Sequence, residues 1–192
     1  KIGYGRQEKA LCGMTVEDMD IIRAIREKPE KGFRLLMQKY KQPVYWHIRR
    51  LVVAHDDAQD ATQEAFIRVF RSFGKFRDEN SFRGWIFRIA TNEALRMIGA
   101  RKQEQISLDA DGDEANRIMA DNYVDYTDLE AVKLQKAILS LPTKQQAAFN
   151  LRYYDELSYE EIAEATGSSP SAVKANYHIA KEKIIKYMNL ND

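Results

Sequence analysis

The sequence has few of the residues that form disulfides, metal sites and chain breaks. Its 192 residues include one cysteine, three histidines, four prolines and nine glycines. The lone Cys12 cannot form an internal disulfide, which is typical of proteins in a reducing compartment. We therefore predict a cytoplasmic protein.

Signatures of enzymes and of membrane segments are also missing from the sequence. There is no phosphate-binding loop and no Gly-x-Ser-x-Gly motif, and His47, His55 and His178 are too scattered to form a metal site. We predict no catalytic residues, no metal and no cofactor, and hence no enzyme. No apolar run reaches about 18 residues, and the N-terminus lacks a secretory pattern, so we expect no membrane insertion.

The apolar residues recur at helical spacing along almost the whole chain. One such pattern runs from Phe33 to Tyr40, a second begins after Pro43, and a third begins after Asp56. A long amphipathic helix is predicted from Phe82 to about Lys102. Because no useful stretch alternates with a period of two, the predicted fold is all-α.

Charge divides the chain into three parts. Residues 1–103 have a net charge of +8, residues 104–130 of −8 and residues 131–192 of +1. The acidic part is also aperiodic, as linkers are. Leaving the aperiodic residues 1–13 aside, we predict two small helical domains, 14–103 and 128–192, joined by an acidic linker at 104–127.

The C-terminal domain contains the pattern of a helix-turn-helix. Ser158-Tyr-Glu-Glu161 is a capping box that begins one helix, and Gly167 provides a turn. Ser169 and Pro170 then cap and begin a second helix. The alternative is a plain helical hairpin within a bundle.

The second helix has an apolar stripe, which is predicted to face inward and includes Tyr177. Its other face has short, polar or basic side chains of the kind that contact bases and phosphates in a major groove. The predicted DNA-binding residues are Ser171, Lys174, Ala175, Asn176, His178 and Lys181. We interpret His178 as a DNA-facing or solvated side chain and not as a metal ligand.

A segment from residue 73 to residue 102 interleaves aromatic residues with arginines. Cations bind phosphates and aromatic rings stack on unpaired bases, so the segment favours nucleic-acid binding. The alternative places Phe82 and Trp85 in the core and leaves the arginines solvated. The predicted contacts are Phe76, Asn80, Arg83, Arg88, Asn92, Arg96, Arg101 and Lys102.

An acidic and polar face precedes this segment. Asp57, Asp60, Gln63 and Glu64 are spaced by three and four residues and share one side of a helix. A solvated helix start explains Asp57, since acids are favoured near a helix N-terminus. It explains Asp60 and Glu64 less well, and a protein partner is the functional alternative.

In this order, the motifs resemble those of the extracytoplasmic-function (group 4) sigma factors. The resemblance extends over about residues 20–103 and 128–188. Four segments carry it: Asp56–Arg68, Phe82–Asn92, Leu141–Tyr154 and Leu157–Ala163. It implies an alternative sigma factor of bacterial RNA polymerase, which directs promoter recognition and DNA opening. The partners implied are core RNA polymerase, promoter DNA and an anti-sigma factor.

The resemblance also implies a role for each predicted site. Core polymerase would be bound by Asp57, Asp60, Gln63, Glu64 and Arg68. The basic aromatic segment would bind the −10 element. The second helix of the helix-turn-helix would bind the −35 element. The 104–127 stretch would be the connector between the two DNA-binding domains.

The sequence departs from the family in the −35-binding helix. Ser171 and Ala172 stand where the family commonly has Gly-Thr, and Asn176 and Ile179 where it has arginines. This helix is therefore less basic than usual, which leaves its preferred DNA sequence open.

An autonomous helix-turn-helix regulator, which does not bind core polymerase, is the alternative function. Such a regulator would need neither the acidic face at 57–64 nor the basic aromatic segment. Co-elution with core polymerase distinguishes the two hypotheses.

Overall fold

Helices form all of the regular structure that can be described. The computed structural model describes residues 17–77, 82–108 and 129–190, with the backbone alone for 101–108 and 129. Within these ranges there is no β-strand, and the predicted all-α fold is confirmed. The helices are α1 (Asp18–Glu27), α2 (Pro29–Val52), α3 (His55–Ser72), α4 (Phe82–Leu108), α5 (Leu129–Leu139), α6 (Thr143–Tyr153), α7 (Tyr159–Thr166) and α8 (Pro170–Leu190), and a 3-10 turn (Phe73–Lys75) follows α3.

The first of two compact units ends at Lys39 and contains α1 and the start of α2. Ile22 and Ile25 of α1 are buried. A Cβ atom at Gly32 would lie 2.2 Å from the backbone nitrogen of Ile25, so only glycine lets the two helices approach this closely. The Lys39 ammonium donates to Asp18 Oδ1 at 2.7 Å.

Helix α2 continues through Pro43, where the sequence indicated two separate patterns. Proline lacks the N–H that would bond to the carbonyl of Lys39, and inside a helix it costs about 3 kcal/mol. Tyr40, Val44 and Ile48 lie on both sides of the proline and are buried. Their burial offsets the lost hydrogen bond, so tertiary packing overrides the local signal.

The second compact unit begins at Tyr40, and its helices fall into two groups along the sequence, each named a lobe. The α2–α4 lobe comprises residues 40–108, in which α3 packs against α4. Phe82, Ile86, Phe87 and Ala90 of α4 are buried. The core interpretation of Phe82 is therefore confirmed, and Trp85 is half-buried beside it.

The α5–α8 lobe comprises residues 129–190 and is built around α8, which packs against α5, α6 and α7. Its buried core consists of Ala137, Ile138, Leu141, Phe149, Ala180 and Ile184.

The two lobes are in direct contact. Helix α4 packs against α7, and buried Val53 packs against Ala131, Val132 and Leu139 of α5. The backbone of Val53 has a φ of 67°, a conformation that is costly for a β-branched residue.

Helix α4 is longer than the sequence predicted. It continues to Leu108, so residues 104–108 of the predicted linker are helical. The rest of that linker, Cys12 and Asn80 lie outside the described residues.

Candidate nucleic-acid interface

The helix-turn-helix is held in shape by local hydrogen bonds. Ser158 Oγ accepts from the Glu161 backbone N–H at 3.1 Å, and Glu161 Oε2 accepts from the Ser158 N–H at 2.8 Å. Gly167 ends α7 in the left-handed conformation, with a φ of 61°. Ser169 Oγ accepts from the Ala172 N–H at 3.2 Å at the start of α8. The capping box, the turn glycine and the second cap are therefore confirmed.

The inner side of α8 is packed as the apolar stripe predicted. Val173, Ala180 and Ile184 are buried, and Tyr177 is half-buried. The Tyr177 ring lies 6.0 Å from the Phe149 ring, centroid to centroid. Burial, and secondarily the nearby phenol of Tyr159, raises the pKa of Tyr177 above its ordinary value of 10.0. Tyr177 is a core residue, as predicted.

The outer side of α8 leaves the predicted DNA-binding residues accessible. All are exposed except Asn176, which is half-buried: Ser171, Lys174, Ala175, Asn176, His178 and Lys181. His178 Nε2 lies 3.3 Å from Glu182 Oε1, and both side chains are well exposed. This surface can accept a DNA groove without repacking the lobe.

A pocket of about 350 Å³ lies between α3 and α4. Basic and polar side chains line most of it, together with the apolar Ile89: Arg68, Arg71, Ser72, Lys75, Ile89, Asn92 and Glu93. This volume is near the lower end of the range of small-ligand sites. Three cations at its edge favour an anionic ligand.

Glu93 forms ion pairs beside this pocket. Its Oε1 atom lies 2.7 Å from Arg68 Nε of α3, and its Oε2 atom accepts from Arg96 Nε of α4 at 2.9 Å. The Glu93 side chain is 2% exposed, whereas Arg68 and Arg96 are 49% and 57% exposed. One buried carboxylate therefore holds two surface arginines.

The predicted contacts of the basic aromatic segment do not all lie on one surface. Arg88, Asn92 and Arg96 are exposed on α4. Phe76 is buried, with its ring 5.1 Å from the Trp85 ring and 5.3 Å from the Phe82 ring. The aromatic cluster encloses Phe76, so its contact with DNA stays a prediction and would require the cluster to open.

Arg83 is also placed differently from the prediction. One of its terminal nitrogens donates to the backbone carbonyl of Asp155 in the α5–α8 lobe, and its guanidinium lies 5.8 Å from the Phe87 ring. In this arrangement Arg83 joins the lobes and does not face solvent freely. Asn80 and the side chains of Arg101 and Lys102 lie outside the described part of the chain.

The residues predicted to bind polymerase lie along α3. Asp60, Gln63 and Arg68 are exposed, and Asp57 and Glu64 are half-buried. Glu64 Oε1 accepts from Arg68 Nε at 3.2 Å.

Several residues at these surfaces were not among the predicted site residues. Phe70 lies seven residues after Gln63 on the same side of α3 and is 54% exposed. Arg71, Lys75 and Glu93 line the pocket, although none was singled out. The spacing of Arg68, Arg71 and Lys75 by three and four residues was the available signal, since it places them on one face.

Asp155 lies in the interface between the lobes and is bonded on both carboxylate oxygens. Oδ2 lies 2.9 Å from His47 Nδ1, and Oδ1 accepts from Arg50 at 2.9 Å. The Arg50 guanidinium also lies 4.3 Å above the Tyr154 ring. Polar and aromatic contacts therefore fix this interface at the end of α6.

The described residues contain no group of three or more potential metal ligands. None of the helices described is long and apolar enough to cross a membrane.

Comparison with known proteins assigns the family. Residues 36–104 match Sigma-70 region 2, and residues 131–184 match Sigma-70, region 4. The RNA polymerase sigma-H factor of Pseudomonas aeruginosa is 30% identical over 181 residues, which cover 88% of this chain and 93% of that protein. The ECF RNA polymerase sigma-E factor of Escherichia coli K12 is 30% identical over 177 residues, covering 87% of this chain and 92% of that protein.

Two solved structures have a similar fold. The sigma factor RpoE of Bartonella quintana, in complex with the anti-sigma factor NepR, has a TM-score of 0.71 at 20% identity and covers 84% of this chain and 99% of its own. CnrH, in complex with the cytosolic domain of CnrY, has a TM-score of 0.68 at 18% identity and covers 91% of this chain and 99% of its own. The sequence matches decide between the two hypotheses above. The chain belongs to the extracytoplasmic-function group of the sigma-70 family and is an alternative RNA polymerase sigma factor, a transcription initiation factor that performs no chemistry of its own.

Proposed function

We propose that this sigma factor directs polymerase to promoters by reading a −35 element with α8 and a −10 element with α4. The observation that carries the proposal is the outer face of α8, which is exposed while the inner stripe of the same helix is packed. A fixed helix with an accessible polar face is what a major groove accepts. The six residues predicted on that face would contact the −35 element.

The −10 half of the proposal centres on the pocket between α3 and α4. Asn92 can pair with a base edge, and Arg88 and Arg96 are exposed on the same helix to hold phosphates. An unpaired base would enter the pocket, which accounts for the link between recognition and strand opening. Phe76 and Arg83 would then support this surface from the core, or would contact DNA after the aromatic cluster and the contact between the lobes have opened.

Core polymerase would bind the acidic face of α3. Asp57, Asp60, Gln63, Glu64 and Arg68 supply polar groups on this face, and exposed Phe70 adds an aromatic anchor. Aromatic residues contribute strongly to protein interfaces when they fill a pocket on the partner.

Simultaneous reading of both elements would place the two lobes far apart on the promoter. Positions −35 and −10 are separated by about 25 base pairs, or about 85 Å at 3.4 Å per pair. The chain between Leu108 and Leu129 can span roughly 70–75 Å when fully extended, and the lobes themselves would cover the remainder. We therefore propose that residues 14–103 and 128–192 are the two DNA-binding domains and that the 104–127 stretch connects them across the polymerase.

The setting of this activity is also part of the proposal. A polymerase subunit works where polymerase and chromosome are, so the protein would act in the cytoplasm. The two solved structures of similar fold, RpoE and CnrH, each contain a protein partner, which is an anti-sigma factor in the case of the sigma factor RpoE. An anti-sigma factor that binds this chain is proposed by analogy.

Run-off transcription with core polymerase tests the proposal. A promoter library is transcribed with and without this chain, and the start sites are mapped to reveal the shared −35 and −10 sequences. Asn176→Ala should relax selection at the −35 element, and Asn92→Ala at the −10 element. Lys186→Ala, a change near the far end of α8, should alter neither. Tight binding to duplex DNA without polymerase, and no run-off product, would support the autonomous regulator instead.

A further inference from the structure

Glu93 stands out because it is buried, charged and absent from the predicted sites. A carboxylate out of water is costly unless it is paired and hydrogen-bonded. Here both oxygens are engaged, by Arg68 from one helix and by Arg96 from the next. The pairing explains how the charge is tolerated, but an apolar residue would fill the same space at lower cost. A role in function accounts for it better.

The two ion pairs engage the arginines through Nε. The Glu93 oxygens lie 2.7 Å from Arg68 Nε and 2.9 Å from Arg96 Nε. Each guanidinium also has terminal nitrogens that can serve as further donors. An arginine held by Nε presents the remaining donors in a fixed plane, which suits phosphate binding.

The position of Glu93 links these arginines to the pocket. Glu93 follows Asn92 directly, and both line the pocket together with Arg68. Arg96 lies one turn after Asn92 on α4. The carboxylate thus fixes one cation at the pocket and one cation a turn further along the same helix.

We propose that Glu93 is a positioning residue for −10 recognition. It does not contact DNA itself. It holds the guanidinium group of Arg96 where it binds the phosphate beside a base that lies against Asn92, and its second ion pair ties α4 to Arg68 on the polymerase-binding face of α3. This inference rests on the proposed −10 role of α4. It adds Glu93 as the residue that fixes the orientation of the arginine side chains. Preorganised cations favour the one strand path that matches them, and so they increase discrimination.

Three roles for Glu93 make different predictions. A positioning role lowers the affinity for the cognate −10 sequence alone. A purely electrostatic role has the opposite sign, because removal of a negative charge strengthens binding to every DNA. A role in folding alone lowers the affinity for all sequences together with the unfolding temperature.

The test uses holoenzyme reconstituted from core polymerase and Glu93→Gln, which keeps the shape of the side chain. Binding is measured by fluorescence anisotropy on fork-junction DNA with the mapped −10 sequence and on the same DNA with that sequence scrambled. We expect about a tenfold loss on the cognate DNA, the equivalent of one charge-assisted hydrogen bond, and no loss on the scrambled DNA. Glu30→Gln removes the same charge from exposed α2 and should preserve the wild-type ratio of the two affinities.

A double-mutant cycle with Arg96→Lys covers the case in which Glu93→Gln folds poorly. Arg96 is exposed, and lysine keeps the charge but not the planar donors. Arg96→Lys should lose discrimination, and the double variant should be no worse than the single variants. Unchanged discrimination in Arg96→Lys, or in a folded Glu93→Gln, overturns the inference. If Asn92→Ala also leaves discrimination unchanged, the proposed −10 site itself is wrong.

Discussion

His47 and Asp155, 108 residues apart in the sequence, form a buried hydrogen bond of 2.9 Å between His47 Nδ1 and Asp155 Oδ2. His47 belongs to α2, and Asp155 follows α6, so this bond joins the two lobes. The other ring nitrogen of His47 lies 2.9 Å from the Thr91 hydroxyl of α4. The imidazole of α2 is therefore hydrogen-bonded both to α4 and to the residue that follows α6 in the α5–α8 lobe.

Asp155→Ala should separate the lobes. The substitution would leave buried His47 and half-buried Arg50 without their carboxylate, which costs up to about 3–5 kcal/mol if the lobes stay packed. Separation lets water reach both side chains, so we expect a larger radius of gyration in small-angle X-ray scattering and an unchanged helix content by circular dichroism. Glu182→Ala breaks the exposed pair with His178 and should leave the radius unchanged.

A second variant tests the same interface without altering charge. A Cβ atom at Gly84 of α4 would lie 3.2 Å from Glu164 Oε2 and 3.5 Å from Glu161 Cα of α7. Gly84→Ala needs only a small shift of the Glu164 side chain, whereas Gly84→Leu has no room. Gly84→Leu should therefore expand the protein as Asp155→Ala does, and Gly84→Ala should not. A compact Gly84→Leu variant would show that the lobes do not pack in solution as they do here.

Glu156→Gly should stabilise the protein. Glu156 is exposed and has a φ of 54°, in the left-handed region. Residues with a Cβ pay about 1–2 kcal/mol there, and glycine does not. After the greater flexibility of unfolded glycine is counted, we expect a gain of about 0.5–1 kcal/mol in the free energy of unfolding, measured by urea titration.

Glu160→Gly is the matched control for that substitution. Glu160 is exposed in the first turn of α7, where the backbone is helical. The same change of side chain should destabilise the protein there by about 1 kcal/mol, because glycine disfavours a helix. Shifts of the same sign at both positions would mean that backbone strain at Glu156 is not the cause.

The parts of the site that depend on neighbouring residues could be predicted from the sequence. The Ser158 cap, the Gly167 turn and the inward position of Tyr177 follow from rules that act over a few residues, and each is confirmed. The division into domains 14–103 and 128–192 on both sides of an acidic stretch stays a prediction.

The parts that depend on distant residues could not be predicted. Arg83 was expected to face DNA, but its partner is a carbonyl 72 residues away, which no periodicity indicates. Phe76 was predicted as a nucleic-acid contact, but it is buried in a cluster with Phe82 and Trp85. Glu93 was not singled out, because a single acid among basic residues looks solvated until its burial is known.

Ser158→Ala should destabilise the helix-turn-helix. The hydroxyl satisfies the Glu161 N–H at the start of α7, and loss of such a cap costs about 1 kcal/mol. We expect the unfolding temperature to fall by about 2–4 °C in a calorimetric scan. Ser168→Ala changes a serine beyond the other end of the same helix and should have a smaller effect. Equal effects of the two substitutions would show that the capping box does not hold the helix start.

Lys174 and Asn176 should affect −35 binding in different ways, because one is a cation and the other can pair with a base. Lys174→Ala should weaken holoenzyme binding on all −35 sequences by a similar factor and lower the dependence of log affinity on log salt by about one unit. Asn176→Ala should cost about 1–3 kcal/mol on the preferred sequence only and leave the salt dependence unchanged. Filter binding at four salt concentrations, on the mapped promoter and on a −35 variant of it, measures both quantities. If the two variants change affinity and salt dependence alike, Lys174 and Asn176 do not bind phosphates and bases separately. If neither variant changes the affinity, the −35 site lies elsewhere on the lobe.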